Sequence, residues 1–240
     1  MDRFRRFFSL VLLYIVVLGV LLSAGFWGNR AVTVMGNNSA SADRTCIIVD
    51  AGHGGVDGGT TSCTGVTESH LNLEISLIMN DLLHLLGLKT HMIRTTDCSV
   101  YTSGETIAAK KVSDLKKRVE IVNGTKNGVL LSIHQNYFSQ SKYSGAQVFY
   151  GKDETSQRLG KFMQEMLIRN LNPTSNRAAK KTSGVYLFEK ISRPGVLLEC
   201  GFLSNPQEEA LLRDADYQKK LCIVVCTAIA DFVANEPLLT

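Results

Sequence analysis

The chain has 240 residues, of which 45% are hydrophobic and 20% are charged. This composition is ordinary for a globular protein with a real core, and the length allows one large domain or two small ones. The formal net charge of +4 comes mostly from residues 1–30; beyond them the chain has 22 basic and 21 acidic residues, which excludes nucleic acid as an expected partner.

The N-terminal segment combines a basic start with a long apolar run. Arginines at positions 3, 5 and 6 precede the 21 uncharged residues of Phe7–Trp27. A run of about 20 apolar residues can span a bilayer, whereas the core of a cleavable signal has about 7–15. Clustered arginines stay in the cytoplasm. We therefore predict an uncleaved single-pass signal-anchor over residues 1–28, with the rest of the chain outside the cell membrane.

An alternative interpretation is a long signal peptide that is cleaved near Ser23-Ala24-Gly25, where small residues offer a weak cleavage site. Cleavage there releases a secreted form. Residues 29–45 are small and polar, as expected of a linker. Beyond this linker we predict one globular domain over residues 46–235.

Apolar runs and helical spacings alternate along this predicted domain. The predicted strands are Cys46–Asp50, Lys89–Arg94, Gly128–His134, Ala146–Tyr150, Val185–Phe188 and Val196–Cys200. The predicted helices are Glu68–Leu86, 113–123, Glu154–Leu171, a short helix that begins at Pro206 after an Asn205 N-cap and a Glu208 capping box, and Asp216–Ala234. This interleaving predicts a single α/β domain with a mostly parallel central sheet and helices on both faces.

The six cysteines show no CxxC pair of the kind that binds metal or carries redox chemistry. Cys222 and Cys226 lie four residues apart on an apolar helix face, where buried thiols are common and a disulfide is geometrically poor. We predict free thiols. Disulfides among Cys46, Cys63 and Cys98 are the alternative.

Three potential ligands or proton carriers follow predicted strands. His53 lies in a glycine-rich loop after the first strand, and His134 and Glu199 lie at the ends of two others. Ligands gather beyond the carboxyl ends of the strands in open α/β sheets. Glu68, in the first turn of a helix, is a fourth candidate. Two histidines and a carboxylate can hold zinc with one position left for water, and a further carboxylate can move a proton, which points to a hydrolase.

The other histidines, His70, His84 and His91, lie on a helix or in an alternating strand, and we predict structural roles for them. The glycine-rich loop could resemble a phosphate cradle. It fails both common patterns, because Asp57 occupies the place of the last glycine in G-x-G-x-x-G and no Gly-Lys-Ser/Thr ending follows.

Four motifs together resemble those of the Amidase_3 type of N-acetylmuramoyl-L-alanine amidases. They are Val49-Asp50-Ala51-Gly52-His53-Gly54-Gly55-Val56-Asp57-Gly58, Glu68-Ser69-His70-Leu71-Asn72-Leu73, Ser132-Ile133-His134-Gln135-Asn136 and Leu198-Glu199-Cys200-Gly201-Phe202-Leu203-Ser204-Asn205. The segments Arg94-Thr95-Thr96-Asp97 and Leu115-Lys116-Lys117-Arg118 fit lesser motifs of the family. Ser69, Tyr137 and Cys200 depart from the residues that are usual at their positions.

The resemblance implies that His53, Glu68 and His134 bind Zn²⁺ and that Glu199 is the catalytic acid–base residue. It implies peptidoglycan as the substrate, cleaved at the amide between N-acetylmuramic acid and L-alanine, and it allows for an accessory activator protein. The predicted single anchor, the size and the lack of wall-binding repeats resemble the members of the family that act on spore cortex, where their products lead to muramic-δ-lactam.

Three alternatives stay open. The first is a general autolysin that acts in cell separation. The second is a zinc peptidase or deacetylase, which is disfavoured because the chain has no H-E-x-x-H motif. The third is a non-catalytic, membrane-tethered peptidoglycan-binding module, which the intact set of candidate ligands disfavours.

Overall fold

The computed structural model describes residues 45–235 of the chain. The predicted anchor, and the predicted linker up to residue 44, lie outside the described residues. Within residues 45–235, none of the helices has both the length and the apolar character needed to cross a membrane.

Strands and helices alternate along the described part of the chain. The strands are β1 (Cys46–Ala51), β2 (Lys89–Met92), β3 (Gly128–Asn136), β4 (Gln147–Tyr150), β5 (Lys180–Lys181) and β6 (Gly195–Phe202). The helices are α1 (Glu68–Leu85), α2 (Ile107–Gly124), α3 (Glu154–Asn170), α4 (Tyr186–Lys190), α5 (Pro206–Arg213) and α6 (Ala215–Asn235).

The six strands form one sheet in the order β2-β1-β3-β6-β4-β5. Every pairing is parallel except that of β4 with β6, which is antiparallel. Because β1, β3 and β6 run in the same direction, their carboxyl ends meet at one edge of the sheet. The predicted α/β domain with a mostly parallel sheet is confirmed.

Two hydrophobic clusters cover the two faces of the sheet. The larger packs α1, α3 and α6 against the strands through buried residues such as Ile75, Met163 and Val225. The smaller packs α2 and α4 on the opposite face through Val122 and Phe188. Full burial of a side chain of this size contributes roughly 1.5–3 kcal/mol, so these clusters supply the main stabilisation. The predicted placement of helices on both faces is confirmed.

The prediction of a strand at Val185–Phe188 is wrong. Tyr186–Lys190 forms the short helix α4, and the edge strand beside β4 is instead Lys180–Lys181. A short apolar run does not distinguish a buried strand from one buried helical turn, because both place adjacent apolar residues in a core. Leu187 and Phe188 are both buried in the smaller cluster.

Helix α2 begins six residues before the predicted start at residue 113. Its N-cap is Thr106, whose side chain accepts a hydrogen bond from the Ala109 amide at 3.2 Å. The first two turns carry exposed residues, such as Ile107 and Val112, rather than a buried stripe. Hydrophobic spacing therefore gave no sign of the helix there.

The predicted N-cap of α5 is confirmed, because the Asn205 side chain accepts hydrogen bonds from the amides of Gln207 and Glu208. The predicted capping box is wrong. The Glu208 carboxylate accepts from the amides of Gly145 and Phe202 instead, which ties α5 to β6 and to the segment before β4.

All the cysteines are free thiols, as predicted. Cys222 and Cys226 lie buried on α6, and their Sγ atoms are each 3.6 Å from a backbone carbonyl oxygen of α1, at Ile75 and Met79. Burial raises the pKa of the Cys226 thiol to about 12 and raises that of Cys222 as well. These thiols are packing groups between two helices.

Candidate active site

The loop that follows β1 is held by two buried arginines. Arg118 donates from Nη2 to the carbonyl of His53 at 2.7 Å, and Arg94 donates from Nε to the carbonyl of Ala51 at 2.8 Å. His53 has a φ of 61°, which is uncommon for a residue other than glycine. The hydrogen bond from Arg118 stabilises this conformation and so fixes the position at which the His53 side chain leaves the backbone.

Gly52 leaves room for the imidazole of His134, which comes from the end of β3. A Cβ atom built on Gly52 lies 2.3 Å from both Cε1 and Nε2 of His134. Any side chain here collides with that ring. The glycine that precedes His53 therefore permits the two histidines to approach one another, with ring centroids 5.0 Å apart.

Three potential metal ligands converge at this edge of the sheet. Oε1 of Glu68 is 2.9 Å from Nδ1 of His134 and 3.3 Å from Nε2 of His53. One ligand atom from each residue lies within 4.8 Å of the other two. Within residues 45–235, one group of histidine, cysteine or acidic side chains has the geometry to hold a metal ion, and it consists of these three residues. Two imidazole nitrogens and one carboxylate oxygen are a donor set that suits zinc.

Asp57 orients the ring of His53. Its Oδ2 is 3.0 Å from Nδ1 of His53, and its Oδ1 forms an ion pair of 2.7 Å with Nζ of Lys111. Although burial opposes it, interaction with Glu68 and Asp57 raises the pKa of His53 to about 9. A carboxylate on one ring nitrogen and a metal site at the other is the usual arrangement for a ligating histidine.

Glu68 is buried at the start of α1, where a helix N-terminus favours negative charge. Its Oε2 accepts a hydrogen bond from the Thr60 amide at 3.1 Å, and its Oε1 accepts from Nδ2 of Asn72 at 3.3 Å. Burial opposes ionisation, but the hydrogen bonds and charges of the two histidines hold the pKa of Glu68 well below its usual range. The side chain is therefore a fixed, negatively charged ligand candidate.

Glu199 lies on β6 directly in register with His134 on β3. Its Oε2 is buried and has no hydrogen-bond partner within the described part of the chain. Burial raises the pKa of Glu199 to about 7, against the opposing charge of His134 and with the support of Glu68. A carboxyl group that titrates near neutral pH can both accept and return a proton during catalysis.

The structure brings the four predicted site residues together at the expected edge of the sheet. The other histidines lie outside this group: His70 pairs with Glu74 on the exposed face of α1, and His84 contacts Thr90. His91 is exposed on β2. These three histidines lie away from the candidate site, and the structural roles predicted for them stay a prediction.

Arg94 and Arg118 hold the backbone of the candidate site in place, a role that we did not predict from the sequence. Arg118 pairs with the buried carboxylate of Asp50, whose Oδ2 also accepts from Ser132 Oγ at 2.7 Å. Arg94 donates to the carbonyls of Gly52 and Ser69 at 3.0 and 2.8 Å. A signal was available, since both arginines belong to the lesser motifs and a buried arginine needs partners.

A cavity of about 300 Å³ opens beside the cluster on the α2 and α4 face of the sheet. His53 and His134 contribute its polar wall, and Leu187, Phe188 and Leu197 contribute an apolar wall. The arrangement can hold a divalent metal ion at one end of a cleft, with a proton-carrying carboxyl group on the adjoining strand.

Comparison with known proteins agrees with this geometry. Residues 47–231 match the Amidase_3 family, described as N-acetylmuramoyl-L-alanine amidase. A germination-specific N-acetylmuramoyl-L-alanine amidase of Bacillus subtilis (strain 168) is 38% identical over 192 residues, which cover 79% of this chain and 80% of that protein.

Two solved structures share the fold. The CwlD amidase from Clostridioides difficile, in complex with the GerS lipoprotein, has a TM-score of 0.77 and 38% identity, covering 80% of this chain and 100% of that one. An N-acetylmuramoyl-L-alanine amidase from Clostridium difficile 630 has a TM-score of 0.70 and 25% identity, covering 80% of this chain and 98% of that one.

Proposed function

Since the chain belongs to the N-acetylmuramoyl-L-alanine amidase family, it is a peptidoglycan amidase, and we propose that it performs the hydrolysis with a zinc ion held by His53, Glu68 and His134. The convergence of these three donors within 4.8 Å is the observation that carries the proposal. The donor set fits zinc because it pairs two imidazoles with one carboxylate and leaves a position free.

When bound, zinc would polarise the amide carbonyl as a Lewis acid and would lower the pKa of a bound water to about 7. Glu199 accepts the proton of the attacking water, because its carboxyl group lies on the strand next to His134 and titrates near neutrality. The same group then donates that proton to the leaving amine nitrogen of L-alanine. Asp57 holds the His53 ring, and Arg94 and Arg118 hold the loop that presents it.

The variant Glu199→Gln tests the division of roles. It removes the proton carrier but leaves the three ligands, so we expect cleavage of a muramoyl peptide to be abolished while one equivalent of zinc still binds. The matched variant His134→Ala removes a ligand, and we expect it to lose both. Loss of zinc in Glu199→Gln identifies Glu199 as a ligand and overturns the assignment. Bound zinc without cleavage by the wild type supports the binding-module alternative.

A role in maturation of the spore cortex is the finer proposal. It is supported by the 38% identity to a relative named germination-specific and to the CwlD amidase. Mass spectrometry of wall fragments from cells that lack the protein tests it. Missing muramic-δ-lactam is the expected result, whereas normal spores and unseparated cells would indicate a division autolysin.

We also propose that an accessory protein assists the amidase. The CwlD structure, in which that amidase binds the GerS lipoprotein, supports this. Amidase assays of the purified chain with and without partners that co-purify from sporulating cells test it. Full activity and full zinc occupancy of the isolated chain would contradict the need for such a partner.

The predicted signal-anchor leads to a proposal on location: residues 1–28 tether the chain to the cell membrane, and the catalytic domain faces outward. The apolar run preceded by arginines supports this. Membrane fractionation, together with protease treatment of intact protoplasts, tests it. Release of the catalytic domain into the medium after a cut near Ser23-Ala24-Gly25 would instead favour the cleaved signal.

A further inference from the structure

A basic groove lies at the β4–β5 end of the sheet, on the far side of Glu199 from the metal-ligand cluster. Its cations are Lys142, Arg177 and Lys180, and Gln147 and Tyr143 also line its wall. The larger of the two adjoining cavities that form it has a volume of about 610 Å³. None of the residues that line it is acidic.

We propose that this basic groove binds a free carboxylate of the peptide stem, two or three residues beyond the scissile bond, and so selects acidic stem peptides. The inference rests on the function proposed above, and it assigns a substrate class to a surface that the hydrolytic step does not use.

Arg177 is held in place with part of its guanidinium group left for a ligand. Nε donates to the carbonyl of Ser144 at 2.7 Å, and Nη1 donates to Oε1 of Gln147 at 2.9 Å. The guanidinium carbon lies 4.8 Å from the centre of the Phe202 ring. Arginine has five N–H donors, so three have no acceptor within residues 45–235. A planar, fixed guanidinium of this kind suits a carboxylate.

Lys180 is exposed on the edge strand β5, opposite Phe149 of β4. Lys142 is exposed on the loop before β4, where its Nζ lies 5.5 Å from the ring centre of Tyr143. Neither lysine forms an ion pair within the described part of the chain. Glu208 is the acid that interacts electrostatically with Arg177. The two carboxylate oxygens of Glu208 accept hydrogen bonds from the amides of Gly145 and Phe202. Both oxygens of Glu208 are thus engaged by backbone amides rather than by Arg177, and the charges of Lys142 and Lys180 are not paired with an acid within residues 45–235.

The strand order places the charge of the groove on the side of β6 that faces away from the histidines. Along the sheet, His53 follows β1, His134 lies on β3 and Glu199 lies on β6, with β4 and β5 beyond. Gln147 of β4 is in register with Glu199. Glu199 protonates the L-alanine nitrogen in the proposed reaction, and β4 is the strand beyond β6. A stem peptide that extends away from the histidines therefore runs towards β4 and β5.

The distance also fits. Neighbouring strands lie about 4.8 Å apart, so β5 is roughly 10 Å from β6. An extended peptide spans about 3.3 Å per residue, and it therefore reaches β5 with its second or third residue. Lys180 and Phe149 border the same cavity as Asn136 at the end of β3, so the groove continues from the catalytic edge.

The test compares two muramoyl peptides that differ in one group: a free carboxylate on the second stem residue, or its carboxamide. For the wild type we expect KM to be about tenfold lower for the carboxylate, with similar kcat, because a charge-assisted contact of this kind gives at least a tenfold preference. Lys180→Gln and Arg177→Lys are each expected to reduce this preference, and a double variant with both changes is expected to reduce it most.

Lys220 is an exposed lysine on α6 that does not line the groove. Lys220→Gln removes the same charge and is therefore the matched control for Lys180→Gln. Thermal unfolding of each variant checks that Arg177→Lys is folded. An unchanged preference in the folded double variant overturns the inference, as does a wild type that treats both substrates alike.

A binding measurement separates this inference from the proposed reaction. Calorimetry of the wild type with an L-alanyl dipeptide product, free acid against amide, needs no turnover. Tighter binding of the free acid that is lost in Lys180→Gln supports the groove even if cleavage fails. Equal binding of both dipeptides rejects the groove even if zinc-dependent cleavage succeeds.

Discussion

Glu199 and His134 occupy paired positions on the neighbouring parallel strands β6 and β3. This register places a buried carboxyl group beside a metal-ligand candidate, and no described residue forms a hydrogen bond with its Oε2. Burial makes the ionised form of Glu199 costly until a cation or a proton compensates it. The relationship leads to a test that requires no substrate.

In the metal-free protein, Glu199→Gln is expected to stabilise the fold at pH 8 but not at pH 4. The unfolded carboxyl group ionises above about pH 4.5, whereas the folded one stays protonated until about pH 7. The free energy of unfolding of the wild type therefore falls as pH rises through this range. The advantage of the variant should grow by about 3 kcal/mol between the two pH values, since the pKa of Glu199 differs by about 2.5 units between the folded and unfolded states. Urea unfolding with a chelator present measures it, and parallel curves would contradict it.

Zinc affinity is expected to rise with pH until about pH 9 and then to level off. His53 must lose its proton to bind a metal ion, and Glu68 and Asp57 raise its pKa to about 9. Below that value the apparent affinity should increase about tenfold per pH unit. Competition with a chromophoric chelator between about pH 6 and pH 10 provides the measurement. A flat profile would show that His53 is not a ligand.

Asp57→Asn is expected to weaken zinc binding by about 10–100-fold, which is the usual loss when the partner of a ligating histidine is removed. The plateau of the pH profile should also move to lower pH, because a carboxylate that raises the pKa of His53 is gone.

Lys111→Gln is the control for Asp57→Asn, since it removes only the half-exposed ion pair to Asp57. Exposed pairs contribute about 0–1 kcal/mol, so zinc affinity should change by less than about fivefold. Equal losses in both variants would mean that Asp57 acts through the surface pair rather than through the His53 ring.

Gly52→Ala is expected to abolish zinc binding while the fold is retained. The added methyl group would lie 2.3 Å from two ring atoms of His134, so the imidazole must move away from Glu68. Gly124→Ala at the end of α2 is the matched control, because a Cβ there meets no atom within 4 Å. Zinc titration and circular dichroism measure both. Normal zinc binding by Gly52→Ala would show that His134 is not positioned as described.

The elements of the fold in which apolar residues recur at a regular spacing could be predicted from the sequence. Helix α1 begins at Glu68 as predicted, since apolar residues recur on one face up to the glycine that follows it. The strand β5 could not be predicted, because Lys180–Lys181 is only two residues long and both are exposed. Its position is set by pairing with β4, which is a tertiary contact.

The candidate site was predictable for a different reason. His53 follows β1, and His134 and Glu199 lie near the carboxyl ends of β3 and β6. The shared direction of these parallel strands brings all three residues to one edge. The lesser motifs pointed to the two arginines that support the site, but their backbone partners were not predictable. Arg94 and Arg118 act by donating to backbone carbonyls of a distant loop, and no pattern of side-chain types records which carbonyls lie unpaired.

The two thiols between α1 and α6 have a practical consequence. Cys222 and Cys226 contact carbonyls of α1 and are almost fully covered, so an alkylating reagent can reach them only when α6 separates from its neighbours. The rate at which these two cysteines are alkylated therefore reports how often helix α6 opens. Mass spectrometry can measure this rate on the unmodified sequence. Cys63 and Cys98, which are exposed, supply the fast reference in the same molecule.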